Sequence, residues 1–193
     1  LDLQPTTFLS WWNKDDRYSR QVLTGDLEKI RTFYMNRGYL DFDIKNTTVS
    51  ISETKKNVYI AIIIDEGDKY TFGDIKISGK YYPLTEESIF QNDIKTKKGE
   101  VFSRELLNQS TESINQELGN YGYAFSNVNP IPDVDKENLI VGFHYFIEPG
   151  KKVYVRRISF IGNEKTQDKV LRREMRQFEA SYYDKEKIDQ STR

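Results

Sequence analysis

A chain that writes the same capped helix twice at an interval of 84 residues, and begins it a third time, is constrained to be a tandem of small repeated units. From Phe102 to Tyr123 the residues spell one helix with both ends marked. Ser103 stands where a side-chain oxygen can cap the first free amides, and Phe102 and Leu107 can close over it as a hydrophobic staple. Gly122 supplies the left-handed residue of a Schellman turn, which brings Tyr123 back over Leu118. Tyr18-Ser19-Arg20-Gln21-Val22-Leu23, closing on Gly38-Tyr39 with Tyr34 as the packing partner, is the same device 84 positions earlier. Tyr183-Asp184-Lys185-Glu186-Lys187-Ile188 opens it again.

Units of this length, cut from 193 residues, bury only about 60% of their extended-chain surface and gain from neighbours. A net charge of -1 gives no global attraction to polyanions. The absence of cysteine removes disulfide scaffolds, thiolate metal sites and cysteine nucleophiles. No apolar run approaches the ~20 residues of a membrane-spanning helix, and the start does not read as a signal peptide.

Residues 1–17, with Pro5 and Lys14-Asp15-Asp16-Arg17, read as a loop, and Trp11-Trp12 read as buried packing ahead of an exposed patch. Leu23, Leu27, Ile30 and Tyr34 form one stripe of an amphipathic helix. The period then changes. Leu40, Phe42 and Ile44 alternate with polar residues and Val49 and Ile51 resume the pattern, which predicts a half-covered strand with a bulge. Val58–Ile64 is apolar at almost every position, as expected of a central strand. A second unit begins with a strand through Tyr70, Phe72, Ile75 and Ile77 to Gly79. A short helix from Thr85 follows, with Ile89, Phe90 and Ile94 inward. After the long helix comes a strand over 123–128, which Pro130 and Pro132 close, and then the apolar strand Leu139–Ile147. Proline has no amide for a ladder, so the 123–128 strand is placed at a sheet edge. Val153, Val155, Ile158 and Phe160 predict the first strand of a third unit, with Val170, Leu171 and Met175 in its first helix.

The order is β-α-α-β-β, an α+β class. It implies a three-stranded mixed sheet ordered first, third, second, with two helices on one face. The expected boundaries are 1–65 (partial), 66–148 (complete) and 149–193 (partial). The two partial pieces are read as cuts from a longer array, unstable alone. Short junctions at 64–68 and 148–150 predict limited bending.

Arg37-Gly38-Tyr39, Tyr121-Gly122-Tyr123, Glu66-Gly67-Asp68-Lys69-Tyr70, and the run from Tyr154 to Asn163 followed by Val170-Leu171-Arg172-Arg173-Glu174-Met175-Arg176-Gln177 resemble POTRA domains of the BamA outer-membrane assembly family. By register the three pieces resemble the later part of the second POTRA, the third, and the start of the fourth. The first and fifth domains and the membrane barrel then have no counterpart here. The resemblance implies the periplasm and unfolded outer-membrane proteins as clients. It also implies accessory lipoproteins and, in the full-length protein, the chain's own membrane barrel as partners. No cofactor, no metal and no catalysis are expected, because the usual chemical motifs are missing.

Edge strands expose unpaired main-chain groups, so the residues themselves point to strand addition along Tyr123, Ala124, Phe125, Ser126, Asn127 and Val128. For Phe125 two readings stand, an exposed aromatic on this edge or a side chain packed under a neighbouring loop. The lone His144 lies in a strand read as central, which favours a satisfied histidine over a general base, and no GxSxG, HExxH or phosphate-binding glycine motif accompanies it. Residues 151–176 carry nine Lys or Arg against three Asp or Glu. Arg156, Arg157, Arg172, Arg173 and Arg176 therefore form a candidate anionic-surface patch, against the commoner reading of a solvated face paired with carboxylates. Nucleic acid is not expected as a partner, because no aromatic-rich RNA-binding strand accompanies the patch. A POTRA arm of a different outer-membrane translocation protein is the alternative within the family.

Overall fold

The computed structural model describes residues 20–52 and 57–191. Trp11, Trp12 and the helix start at Tyr18-Ser19 lie outside them. One compact unit takes the chain up to Thr71 with Gly99–Arg104 and Lys136–Ile140; the other takes Phe72–Lys98, Glu105–Asp135 and Val141–Arg193.

In the first unit, helix α1 (Arg20–Met35) turns Leu23 inward and leaves Leu27, Ile30 and Tyr34 half-buried, the stripe its spacing predicts. The Tyr34 ring stacks on Phe42 with centroids 4.3 Å apart. Strands β1 (Asp43–Ile51) and β2 (Val58–Asp65) pair antiparallel, and the register slips between Ile44 and Asn46, where the alternation breaks. β2 has one flank paired in this partial unit. Among the described residues β1 is its sole partner, and Ile63 remains 56% exposed. Continuous apolarity predicts a central strand, and the sequence reading places the first strand that would take the second flank outside this partial piece.

Across the second repeat run β3 (Thr71–Gly79), α2 (Glu86–Asn92), α3 (Arg104–Asn120), β4 (Asn127–Asp135) and β5 (Ile140–Glu148), in the order β-α-α-β-β. The sheet order is β3-β5-β4, so the third strand of the repeat is central, as its sequence indicates. The Thr71 amide reaches Leu139 O at 3.0 Å and the Lys80 amide reaches Ile147 O at 3.0 Å, so β3 and β5 ascend together. A turn at 136–139 returns the chain from β4 to β5, too short for anything but an antiparallel hairpin. Val141, Phe143, Tyr145 and Ile147 are buried on one face of β5, and Ile89 of α2 with Ile114 and Leu118 of α3 complete that core. α2 carries the capping box, Thr85 Oγ1 accepting from the Ser88 amide. Phe90, expected inward, is 37% exposed, because Ile89 one position earlier takes the buried side of this two-turn helix.

Both long helices end as their glycines predict. Tyr123 donates its amide to Leu118 O at 3.1 Å past Gly122 at φ 95°, and Tyr39 donates to Tyr34 O at 3.2 Å past Gly38 at φ 102°. In both, the glycine carbonyl then receives an amide from the start of the following repeat, Tyr70 at 2.8 Å and Val153 at 2.9 Å. The strands after the helices keep the same interval: β1 spans 43–51 and β4 spans 127–135.

The third repeat departs from expectation in its first strand. Residues 151–162 make no ladder, only an isolated bridge between Tyr154 and Tyr182, since no described strand plays for it the part that β5 plays for β3. Helices α4 (Asp168–Glu174) and α5 (Lys185–Ser191) are present, and Asp184 caps α5 by accepting the Lys187 amide at 3.0 Å. This repeat is seated on the end of α3. Asn120 Oδ1 accepts the Glu186 amide at 3.1 Å, Lys185 pairs with Glu112, and Lys152 Nζ lies 5.3 Å from the ring centroids of both Tyr123 and Tyr182.

Among the described residues two buried hydroxyls, of Thr96 and Tyr145, have no hydrogen-bond partner. The Tyr145 hydroxyl lies beside Ser110, which donates to Leu106 O and accepts the Lys95 amide, without reaching it at hydrogen-bond geometry. Burial pushes the Tyr145 phenol up to about 12, so the folded protein keeps a proton that the unfolded chain releases near 10. Stability from this residue is intact below pH 10 and is lost as the pH rises toward 12. Tyr145→Phe is expected to stabilise the fold by about 1 kcal/mol at neutral pH. Thermal unfolding should also show a shallower loss of stability above pH 10 than in wild type.

Candidate polypeptide-binding site

The sheet margin beside α3 is β4, which among the described residues pairs with β5 alone. The opposite margin is partly occupied: Thr71 at the start of β3 is bridged to Val101, and the Phe102 amide donates to Tyr70 O at 3.0 Å. β4 is therefore the more open of the two edges.

The edge residues expected from sequence are divided by the structure. Asn127 and Val128 lie in β4, Val128 buried toward the helices and Asn127 exposed. Tyr123 to Ser126 precede the strand, with Ala124 and Phe125 in a turn. Tyr123 is committed elsewhere, its amide to Leu118 O and its hydroxyl to Tyr82 O at 3.1 Å. Ser126 donates to Asn115 Oδ1 at 2.9 Å. Phe125 is 80% exposed, which settles its burial in favour of the exposed reading while moving it off the ladder. The strand also runs through Pro130 and Pro132 to Asp135 where the sequence reading ends it before them. A strand paired on one side only has a flank where a missing amide costs no ladder bond.

His144 stands on the open face of β5, its Nε2 2.7 Å from Ser78 Oγ. Among the described residues no cluster of His, Cys, Asp and Glu is placed to hold a metal.

The basic run of the third repeat is partly spent on structure. Arg172 donates to Asp168 Oδ2 at 2.7 Å, Glu179 Oε1 at 3.0 Å and Ile158 O at 2.8 Å, and its guanidinium lies near the Phe160 ring. The Ile158 amide and Arg172 together hold the Glu179 carboxyl below its usual range. Arg173 pairs with Glu174 at 3.4 Å. Arg156, Arg157 and Arg176 are exposed.

Sequence reasoning missed a shallow groove of about 550 Å³ at the upper ends of β3 and β5, walled by Tyr81, Tyr82, Leu84, Tyr123 and Pro149. The signal for it was the aromatic pair that follows Gly79. It also missed Gln177, which is 2% exposed and bonds through Nε2 to Ser181 Oγ, Tyr182 O and Phe178 O, while Oε1 accepts the Asp184 amide at 2.8 Å.

A family model described as POTRA, surface antigen variable number repeat, matches residues 7–67, 70–150 and 153–193. The outer membrane protein assembly factor BamA of Neisseria meningitidis serogroup B is 33% identical over 182 residues, covering 94% of this chain and 23% of its own length. BamA of Buchnera aphidicola is 32% identical, covering 93% of this chain and 29% of its own. This chain thus spans only about a quarter of the curated relatives it matches. Among solved structures, POTRA3-5 of Haemophilus influenzae BamA superposes with a TM-score of 0.80 at 27% identity, over 91% of this chain and 69% of that one. BamA from Haemophilus ducreyi lacking POTRA domains 1-3 gives 0.55 at 32% identity, over 63% of this chain and 23% of that one. No helix among the described residues is long and apolar enough to cross a membrane. With one β-α-α-β-β repeat complete, its neighbours matched by the same model and BamA relatives along nearly all its length, the chain belongs to the POTRA family and is a tandem of such domains.

Proposed function

We propose that this chain is part of the periplasmic arm of an outer-membrane protein assembly factor, and that it holds extended polypeptide by accepting it as an added strand along β4. The observation that carries this reading is the position of β4 at the sheet margin, with β5 as its one partner among the described residues. Main-chain pairing tolerates many sequences, which suits a carrier of unfolded outer-membrane proteins. Accessory lipoproteins and the membrane barrel of the full-length protein are its other partners, and the module acts as a scaffold with no chemistry of its own. Its domains divide at 1–65, 66–148 and 149–193. Two solved relatives, one of POTRA3-5 and one lacking POTRA domains 1-3, support a register one domain later than the sequence suggested, with the third piece beginning the fifth POTRA. The anionic-surface reading has less behind it, since Arg172 and Arg173 are already paired with carboxylates.

A photo-crosslinking residue in place of Phe125, exposed beside the strand, should capture nascent outer-membrane proteins in cells. In vitro, Val134→Pro removes an amide near the far end of β4 at an exposed position. It should weaken binding of an extended peptide several-fold, the loss of one bond of about 1 kcal/mol, while circular dichroism stays as in wild type. Equal affinity in the folded variant, with no client captured at position 125, removes β4 as the site.

A further inference from the structure

The prolines of β4 say how the edge is used. Pro130 and Pro132 are two residues apart, so they share one side of the pleat and one hydrogen-bonding direction. The turn at 136–139 fixes the hairpin register, and a Cβ built on Gly142 would stand 3.7 Å from both Cβ and O of Asp133, placing those two residues opposite one another. Pro132 then faces Phe143 and Pro130 faces Tyr145. In an antiparallel ladder, residues that give their neighbour both N–H and C=O alternate with residues that turn both away. Proline cannot fill the first role, so 129, 131 and 133 serve β5, and 128, 130, 132 and 134 face outward.

We infer that the middle of the β4 rim is an acceptor-only platform, and that Pro130 and Pro132 make it selective for an extended foreign polypeptide over a second copy of the same edge. The inference rests on the reading of β4 as the site of strand addition. An incoming chain keeps every bond donated by its own amides to the carbonyls of 128, 130, 132 and 134. It loses only the two that the prolines would have given, so it is held reversibly. Two copies of this rim brought antiparallel about Ile131 set Pro130 against Pro132, and neither central pair has an amide to exchange. The device therefore discourages edge-to-edge association, a standing hazard of open strands, while leaving the edge usable by clients.

The test is the double variant Pro130→Val with Pro132→Val in the whole chain, beside the single Pro132→Val at the exposed position. Three readouts apply: amide hydrogen exchange by NMR, affinity for a proline-free peptide of alternating apolar and polar residues, and sedimentation equilibrium. The new amides should exchange fast in the free protein and slow when peptide is bound, affinity should rise about tenfold, and a concentration-dependent dimer absent from wild type should form. The single variant should show the same changes with a smaller gain. Slow exchange of the new amides in the free protein overturns the outward placement. Unchanged affinity together with a monomeric variant overturns the selective role. If wild type fails to bind the peptide at β4, the proposed function fails, and exchange and sedimentation still decide the orientation and the barrier to self-pairing.

Discussion

Gly79→Val should abolish the cooperative unfolding transition of the second repeat. A Cβ at this position would stand 2.1 Å from Ile147 O and 2.9 Å from Ile147 N, against the backbone of the central strand, so no side-chain rotation can relieve the contact. The backbone there is at φ 109°, where a β-branched residue is strained by about 1–2 kcal/mol before any clash is counted. Overpacking against the main chain adds about 1–3 kcal/mol more. The total approaches the whole stability of a small domain, for which about 5 kcal/mol is the lower end of the usual range. Gly162 occupies the corresponding place in the third repeat, and a Cβ there meets nothing within 4 Å. Gly162→Ala should therefore cost about 1 kcal/mol, the backbone strain alone. Thermal melts followed by circular dichroism separate the two: a sharp loss for Gly79→Val and a small shift for Gly162→Ala. A Gly79→Val melt within a few degrees of wild type would mean that β3 does not lie against Ile147 as described.

The second large effect belongs to Gln177. Its amide ties together the loop that leads into α5, sharing its two hydrogens among Ser181 Oγ, Tyr182 O and Phe178 O and receiving one from the Asp184 amide. Gln177→Leu keeps the volume and removes these bonds; Ser181 Oγ still reaches Phe178 O and Tyr182 O, but the Asp184 amide loses its acceptor, at a cost of about 1–3 kcal/mol. Asp184 caps α5, so the loss should spread to that helix. Hydrogen exchange should accelerate at Asp184 and through residues 185–191, with the β3-β5-β4 sheet unaffected. If the Asp184 amide exchanges at the wild-type rate in Gln177→Leu, Gln177 is a passive filler and the loop is held by other contacts.

What the sequence made legible is what short-range chemistry dictates. Gly38 and Gly122 mark helix ends because a left-handed residue is needed within five positions of the carbonyl it helps satisfy, a requirement visible without any tertiary knowledge. The central place of β5 could be read from its long apolar run, although its second face, with His144 and Phe146, stays open. For β2, whose run is as apolar, the sequence reading already places the first strand of its unit outside this partial piece, so β1 is its one partner among the described residues. The start of β4 was placed four residues early, because Ala124, Ser126 and Val128 keep a period of two through a turn that periodicity cannot see. The prolines marked the edge but were also taken as terminators, when they lie within the edge strand itself. Gln177 was invisible as a buried hub because its partners are loop main-chain atoms, which leave no trace in side-chain pattern. The basic run suggested a charged surface, and its most engaged member, Arg172, proves to be a clasp between α4, Glu179 and Ile158.

The claim on which the functional account stands is that an extended polypeptide pairs with the outer flank of β4. Amide-resolved hydrogen exchange on the wild-type chain, with and without a saturating extended peptide, examines it directly. Slowed exchange confined to the outward amides of Val128 and Val134, with β3 and the helices unchanged, is the predicted result. Protection appearing instead along β3 or on α3, with those two amides exchanging as in the free protein, would contradict it.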